Sequence, residues 1–380
     1  MKLEDRYRPW IDRRRKRGAL GLVRGMHIDW QLFGGLAALL LLALFVLYSA
    51  GGASFDTVSA QAVRLLLALI VLFAIAQIPP HHLAFWTPWF YGLGVILLLA
   101  VMLFGDIGKG AQRWLDLGFM RFQPSEMMKL AVPMMVAWYL STKNMPPRPQ
   151  HLLIALAIIF VPAVLILEQP DLGTAILVAS AGLFVLFLTG LSWRLIGGFG
   201  LIMAIVAPIM WFFIMHDYQR QRVLTFLDPE SDPLGTGYHI IQSKIAIGSG
   251  GAYGKGWLNG TQSQLDFLPE RHTDFIFAVL AEEFGLIGVI VLLSIYLYIG
   301  SRGLQIAYQA QDSYTRLLAG ALILTFMVYV VVNIGMVSGL LPVVGVPLPL
   351  VSYGGTSVVT LMASFGILMS IQTHRKLLQS

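Results

Sequence analysis

The sequence predicts an all-α polytopic membrane protein with about ten transmembrane helices and a large extracytoplasmic loop between spans 7 and 8. Three observations carry that prediction. Hydrophobic residues make up 57% of the 380-residue chain and charged residues 12%, a balance no water-soluble core requires. Runs of eighteen or more nearly uncharged residues recur, each long enough to cross a hydrocarbon layer of roughly 30 Å as a helix. The basic residues are clustered, nine of the 26 Lys and Arg falling before residue 25.

That cluster (Lys2, Arg6, Arg8, Arg13, Arg14, Arg15, Lys16, Arg17 and Arg24) directly precedes the first apolar run. The positive-inside rule puts it in the cytoplasm, where it also suits anionic membrane lipids. The net charge of +6 is thereby an orientation signal, and nucleic acid is not an expected partner. Residues 31–50 are too long for a signal-peptide core and lack a small-residue cleavage site, so they are expected to remain as a span.

Breaking the hydropathy at Pro, Gly and charge clusters gives spans near 31–50, 58–78, 82–104, 124–142, 151–167, 173–189, 193–214, 274–300, 317–341 and 356–373. Lys143, Arg148, Arg194, Arg302, Arg316, Arg375 and Lys376 then all fall on the side of the basic N-terminus. Both termini are expected in the cytoplasm. The domain reading is a basic N-terminal segment 1–30, one membrane domain 31–373 and a tail 374–380.

Three outer segments remain: 105–123, the long 215–273 and the Pro/Gly-rich 342–355. A loop of roughly 60 residues exceeds ordinary connections and is usually functional or disordered. Within it, residues 238–247 have apolar residues at helical spacing, which fits either an interfacial helix or a packed loop helix.

Ionisable residues at or inside a bilayer are functional candidates by default. Here they are Arg64, Glu126, Lys129, Glu168, Asp171, Asp274, Glu282 and Glu283. Asp274 opens the eighth span, and a partly desolvated carboxylate at the water boundary suits a general base; the bland alternative is a helix cap. In QPSEMMKL, Pro124 fits a first helical turn, and Glu126 and Lys129 at i and i+3 share a face. They form either a helix-start salt bridge or a site for a phosphate. Asp171 in LEQPDLGTA has the spacing of an N-cap. Glu282 and Glu283 are expected two turns below Asp274, near mid-membrane.

Several chemistries lack support. The chain has no Cys, so disulfides, thiolate metal sites and a cysteine nucleophile are excluded. Its histidines show no HExxH spacing, and neither GxxxxGK[ST] nor GxSxG is present. No organic cofactor is expected. A divalent cation, Mg²⁺ or Mn²⁺, is expected only as an ion that Asp274 shares with substrate phosphates.

Three stretches, RFQPSEMMKLAVP at 121–133, LPERHTDFIFAVLAEEFG at 268–285 and GLLPVVGVPLPLVSYGGTS at 339–357, resemble the SEDS family of shape, elongation, division and sporulation proteins. The resemblance runs from about residue 30 to the C-terminus. It implies a ten-span peptidoglycan glycosyltransferase of cell elongation and rod shape, polymerising lipid II on the outer face of the cytoplasmic (inner) membrane beside a class B penicillin-binding protein.

By the same resemblance Asp274 is the catalytic carboxylate. Glu126 and Lys129 match the family's essential Glu and Lys of span 4, Asp171 matches its acidic outer turn, Trp114, Arg121 and Gln123 match the first outer loop, and Ser352, Tyr353, Gly354 and Gly355 form the signature turn. The family's basic residue at the outer end of span 2 has no clear counterpart, since Arg64 lies about a turn deeper. Two other classes stay open: a lipid II flippase, which needs a polar path continuing to the inner face, and a non-catalytic scaffold for the crosslinking enzyme.

Overall fold

The computed structural model describes residues 27–375 apart from 109–110, 117–120, 192, 216, 229–234, 266 and 269. The basic cluster before residue 25 and the end of the tail from 376 lie outside the described residues. Ten helices correspond to the expected spans: α1 (Trp30–Ala50), α2 (Phe55–Ala76), α3 (Pro80–Phe104), α4 (Pro124–Ser141), α5 (Pro149–Glu168), α6 (Leu172–Leu188) and α7 (Trp193–Ile209, continued by a π turn Met210–Ile214), then α11 (Ile276–Tyr308), α12 (Ser313–Val337) and α13 (Thr356–Thr373). Between α7 and α11 run α8 (Asp217–Leu227), α9 (Thr236–Gly250) and the single turn α10 (Thr261–Gln264). Among the described residues, seven helices are long and apolar enough to cross a membrane.

Local chemistry sets the boundaries. Asp29, Ser54, Asp171 and Asp312 cap α1, α2, α6 and α12 with side-chain acceptors, each taking an amide that the first turn leaves unpaired. Proline opens α3, α4 and α5, where its missing N–H removes nothing. Large apolar residues on the outward faces, Leu41, Leu66, Trp89, Leu103 and Phe213 among them, are exposed, as a lipid-facing surface must be. Small residues let the helices approach: Gly366 of α13 lies against the backbone of α2 at Leu72.

α1 and α11 run antiparallel, and their contacts fix the depth of everything else. At one pole Arg302 pairs with Asp29 at 2.6 Å; one to two turns further in Gly35 lies under Tyr298 and Ile299; at the other pole Ser49 donates to Glu283. α11 is not one rod. Its 33 residues would span about 50 Å, and it breaks at Gly285, with φ 61 and ψ −158. The expectation that Glu282 and Glu283 lie near mid-membrane is therefore corrected: both sit at the far end of α1, because Glu283 accepts from Ser49, the penultimate residue of that helix.

Residues 105–123 hold a small antiparallel ribbon, β1 (Asp106–Gly108), β2 (Ala111–Asp116) and β3 (Arg121–Phe122). α9 packs against α11 and α12 with Ile240, Ser243 and Ala246 buried, and Ser243 Oγ donates to Val337 O at 2.8 Å. It is a packed loop helix. The 342–355 segment dips into the bundle. Pro349 O accepts from the buried Tyr296 OH at 2.7 Å, eleven residues past Gly285 and so about 16 Å down α11.

Candidate active site

At the pole opposite Asp29 and Arg302, the starts of α4, α6 and α13 surround a cavity of about 290 Å³. These helices all begin on the same side of the bundle, so their first turns converge. The lining includes Trp114, Gln123, Glu126, Lys129, Asp171, Gly354 and Gly355, together with Arg113, Thr174, Tyr329 and Ser357.

Lys129 Nζ lies 2.6 Å from Glu126 Oε1, one helical turn away, and 5.2 Å from the centre of the Tyr329 ring. Both charged side chains are buried. A buried pair survives desolvation only when geometry and further contacts are good; here the carboxylate and the ring together hold the ammonium. Glu126 Oε2 and Ser125 Oγ are buried without a partner in the protein, so the pair keeps an unused acceptor.

A second group sits beside it. Asp171 accepts from Thr174 N at 3.3 Å and from Gln123 Nε2 at 3.2 Å, and Arg113 Nε approaches it to 4.0 Å. Arg113 also donates to the carbonyls of Gln169, at 3.2 Å, and Pro170. The first loop is thereby tied to the α5–α6 turn, and Asp171 both caps its helix and lines the cavity. Arg121 has its backbone paired with Asp116; its side chain lies outside the described set.

Asp274 is not part of this lining. It stands one residue before Phe275, the N-cap residue of α11, which makes no side-chain cap. Its carboxylate borders Gly345, a cavity-lining residue: a Cβ built on that glycine would lie 3.6 Å from Asp274 Oδ2. Its backbone carbonyl accepts from Asn333 Nδ2 at 2.9 Å, and the same amide reaches Val346 O at 2.7 Å. The base candidate and the cavity wall thus share one anchor.

Ser352 and Tyr353 turn toward that segment rather than into the cavity. Ser352 Oγ donates to Thr273 O at 2.6 Å and accepts from Leu348 N at 2.8 Å, and Tyr353 N donates to His272 O at 2.8 Å. The Tyr353 ring carries the Arg64 guanidinium 4.3 Å from its centre, and Gly354 N donates to Gln61 Oε1 at 3.3 Å. Arg64 therefore sits behind the signature turn, supporting it.

Residue-type reasoning missed Arg113, Thr174, Tyr329, Asn333 and Ser357. Asn333 carried a signal, a lone amide within the apolar run of span 9. Arg113 and Tyr329 carried none, because the direction each faces depends on the ribbon and on helix rotation. No group of three or more His, Cys, Asp or Glu among the described residues is placed to hold a metal ion.

The FTSW_RODA_SPOVE family, described as cell cycle proteins, matches residues 28–377. The peptidoglycan glycosyltransferase MrdB of Escherichia coli K12 is 59% identical over 353 residues, 93% of this chain and 95% of the relative. A probable peptidoglycan glycosyltransferase FtsW of Geobacter metallireducens is 38% identical over 75% and 76% of the two chains. Among solved structures, a chain from work on the structural coordination of polymerization and crosslinking by a peptidoglycan synthase complex superposes with a TM-score of 0.80 at 34% identity, covering 90% of this chain and 97% of that one. The rod shape determining protein RodA of Thermus thermophilus gives 0.69 at 28% identity, over 92% and 98%.

Proposed function

This chain belongs to the FtsW/RodA/SpoVE family of cell cycle proteins, and from that premise we infer a multi-pass membrane peptidoglycan glycosyltransferase that polymerises lipid II during cell elongation and maintenance of rod shape. The observation that carries it is the 59% identity to a peptidoglycan glycosyltransferase along nearly the full length of both chains.

In the reaction the 4-hydroxyl oxygen of an acceptor N-acetylglucosamine attacks the anomeric carbon of a lipid-linked donor. The glycosidic bond forms with inversion as the bond to the lipid pyrophosphate breaks. Asp274 takes the hydroxyl proton, a contribution of about 10²–10⁴ in rate for a positioned base. Lys129, kept aligned by Glu126, meets the charge developing on the pyrophosphate, with Arg121 as a second cation from β3; one such donor is typically worth about 10²–10³. Gln123, Asp171 and Trp114 shape the polar wall, Gly354 and Gly355 leave room for the substrate, and Ser352 and Tyr353 hold the segment that presents Asp274.

A divalent ion fits this donor set only as one completed by substrate phosphates beside Asp274, since the described residues offer no cage of their own. Bound there, it would supply further charge neutralisation. The clustered basic residues favour a cytoplasmic position for both termini and an outer-face active site at the inner membrane. A class B penicillin-binding protein is the proposed partner, supported by the similarity to a complex that coordinates polymerization with crosslinking.

The flippase reading loses its main support. Glu282 and Glu283, the polar extension it needed, stand at the cavity pole, and beneath Lys129 the space, lined by Leu322, Leu361, Thr325, Thr360 and Ser364, shrinks to about 20 Å³, too small for a lipid headgroup. Purified protein supplied with fluorescent lipid II, alone and with its partner, tests the function. Glycan polymer is expected; movement of lipid II between leaflets without polymer would contradict it.

A further inference from the structure

We propose that the glycine-rich segment 251–256 splints the break in α11, and that Lys255, Glu282 and Gly254 thereby act as positioning residues for the catalytic carboxylate; the proposal rests on Asp274 being the base. In an unbroken helix the amides of residues 286 and 287 would bond to the carbonyls of 282 and 283. Gly285, at φ 61, prevents this and leaves those four groups to be satisfied elsewhere. Backbone amides and carbonyls away from water are almost always paired, so each of the four calls for a replacement partner.

The segment supplies every partner. Leu286 N donates to Gly251 O at 3.0 Å and Ile287 N to Ala252 O at 3.2 Å, while Lys255 N and Gly256 N donate to the carbonyls of Glu282 and Glu283, both at 3.0 Å. The ladder of α11 is rerouted through the loop. Two glycines make the approach feasible: Gly254, at φ 80, would drive a Cβ into the Glu283 carbonyl, and a Cβ on Gly285 would lie 2.8 Å from Ala252 O.

Side chains lock the splint. The fully buried Glu282 carboxylate accepts from Lys255 Nζ at 2.8 Å, Gln262 N at 2.9 Å, Ser263 N at 3.1 Å and Thr261 Oγ1 at 3.2 Å. Above the break, Ile276–Ala281 is buried on every side and behaves as a rigid arm ending at Asp274. The nine helical residues Ile276–Phe284 measure about 14 Å, so a tilt of roughly 4° at Gly285 moves the carboxylate about 1 Å. A misplacement of that size costs about 10²-fold in rate where geometry is critical.

The test uses the full chain with fluorescent lipid II and four variants: Lys255→Ala, Lys255→Arg, Glu282→Gln and Gly254→Ala. The first, third and fourth are expected to lower kcat about ten-fold or more with KM changed by less than about two-fold, and Lys255→Arg to recover most of the rate. Hydrogen exchange gives a readout independent of catalysis. In the unsubstituted protein the amides of Lys255, Gly256, Leu286 and Ile287 are expected to be protected, and in Gly254→Ala to lose protection together while residues 290–308 stay unchanged. Independent exchange of the two segments would overturn the splint. Unchanged kcat in variants whose exchange has risen would overturn the positioning role. Polymerisation by Asp274→Ala would instead remove the base assignment, and is distinguishable because the exchange pattern does not depend on that residue.

Discussion

Lys129 and Glu126 stand 2.6 Å apart in a buried setting, so neither can be removed without leaving the other's charge exposed to low dielectric. Lys129→Met is expected to destabilise the protein by about 3–5 kcal/mol and to lower polymerisation about 10²-fold or more. The double variant Glu126→Gln with Lys129→Met separates the effects. Its thermal midpoint is expected to recover while its activity does not; recovery of activity would mean the ammonium serves only to neutralise Glu126. Asp171 divides in a similar way. Asp171→Asn keeps the acceptor for Thr174 N and should retain the cap, whereas Asp171→Ala should lose about 1 kcal/mol of stability, measurable as a difference in thermal midpoint between the two. Both should lower the rate if the charge is needed in the cavity.

At the scale of elements, helix contacts depend on small residues rather than on burial from water. Gly366 lies so close to α2 that a Cβ there would be 2.7 Å from Leu72 O. Gly366→Leu should therefore push α13 off α2 and cost about 1–3 kcal/mol, read as a lower unfolding midpoint, with Gly366→Ala intermediate. At the Asp29 pole, His374, just beyond α13, stacks on His27 with ring centres 3.9 Å apart. Burial lowers its pKa from the ordinary 6.5, the bond to Ser370 opposes the shift, and the neighbouring His27 adds to it. A histidine held low contributes fully above pH 6.5 and loses that contribution as pH falls through its folded value, because the unfolded chain then binds more protons. Thermal midpoints followed from about pH 8 to about pH 5 should fall less steeply for His374→Gln than for the unsubstituted protein.

The spans themselves were legible in the sequence, since apolar runs bounded by Pro, Gly and charge are imposed by the bilayer and need no tertiary information. Two features were not. The break in α11 hides inside a run that reads as one helix, and Gly285 passes for an ordinary helical glycine until the segment 251–256 is seen to donate to the carbonyls of Glu282 and Glu283. The ribbon of residues 106–122 likewise follows from hydrogen bonding that a short polar loop does not advertise.

For the molecule as a whole, the polar groups singled out along the chain divide into three tasks. Glu126, Lys129, Gln123, Asp171 and Trp114 line one cavity with Gly354 and Gly355. Ser352, Tyr353 and Arg64 brace the segment before α11. Glu282 and Glu283 fasten the long loop and the end of α1. Residue types and spacing nominated Arg64, Glu126, Lys129, Asp171, Glu282 and Glu283, and the family resemblance the rest, but sorting lining from bracing required knowing which way each side chain turns. Ser352, whose hydroxyl is committed to Thr273 O and Leu348 N, shows the difference.

The proposed mechanism turns on Asp274 removing the acceptor proton. Single-turnover polymerisation of fluorescent lipid II by the unsubstituted protein, Asp274→Asn and Asp274→Ala tests it most directly. Both variants are expected to lose about 10²-fold or more in rate while still binding lipid II and keeping the unfolding midpoint of the unsubstituted protein. Polymer formed by either variant at the unsubstituted rate would contradict the account.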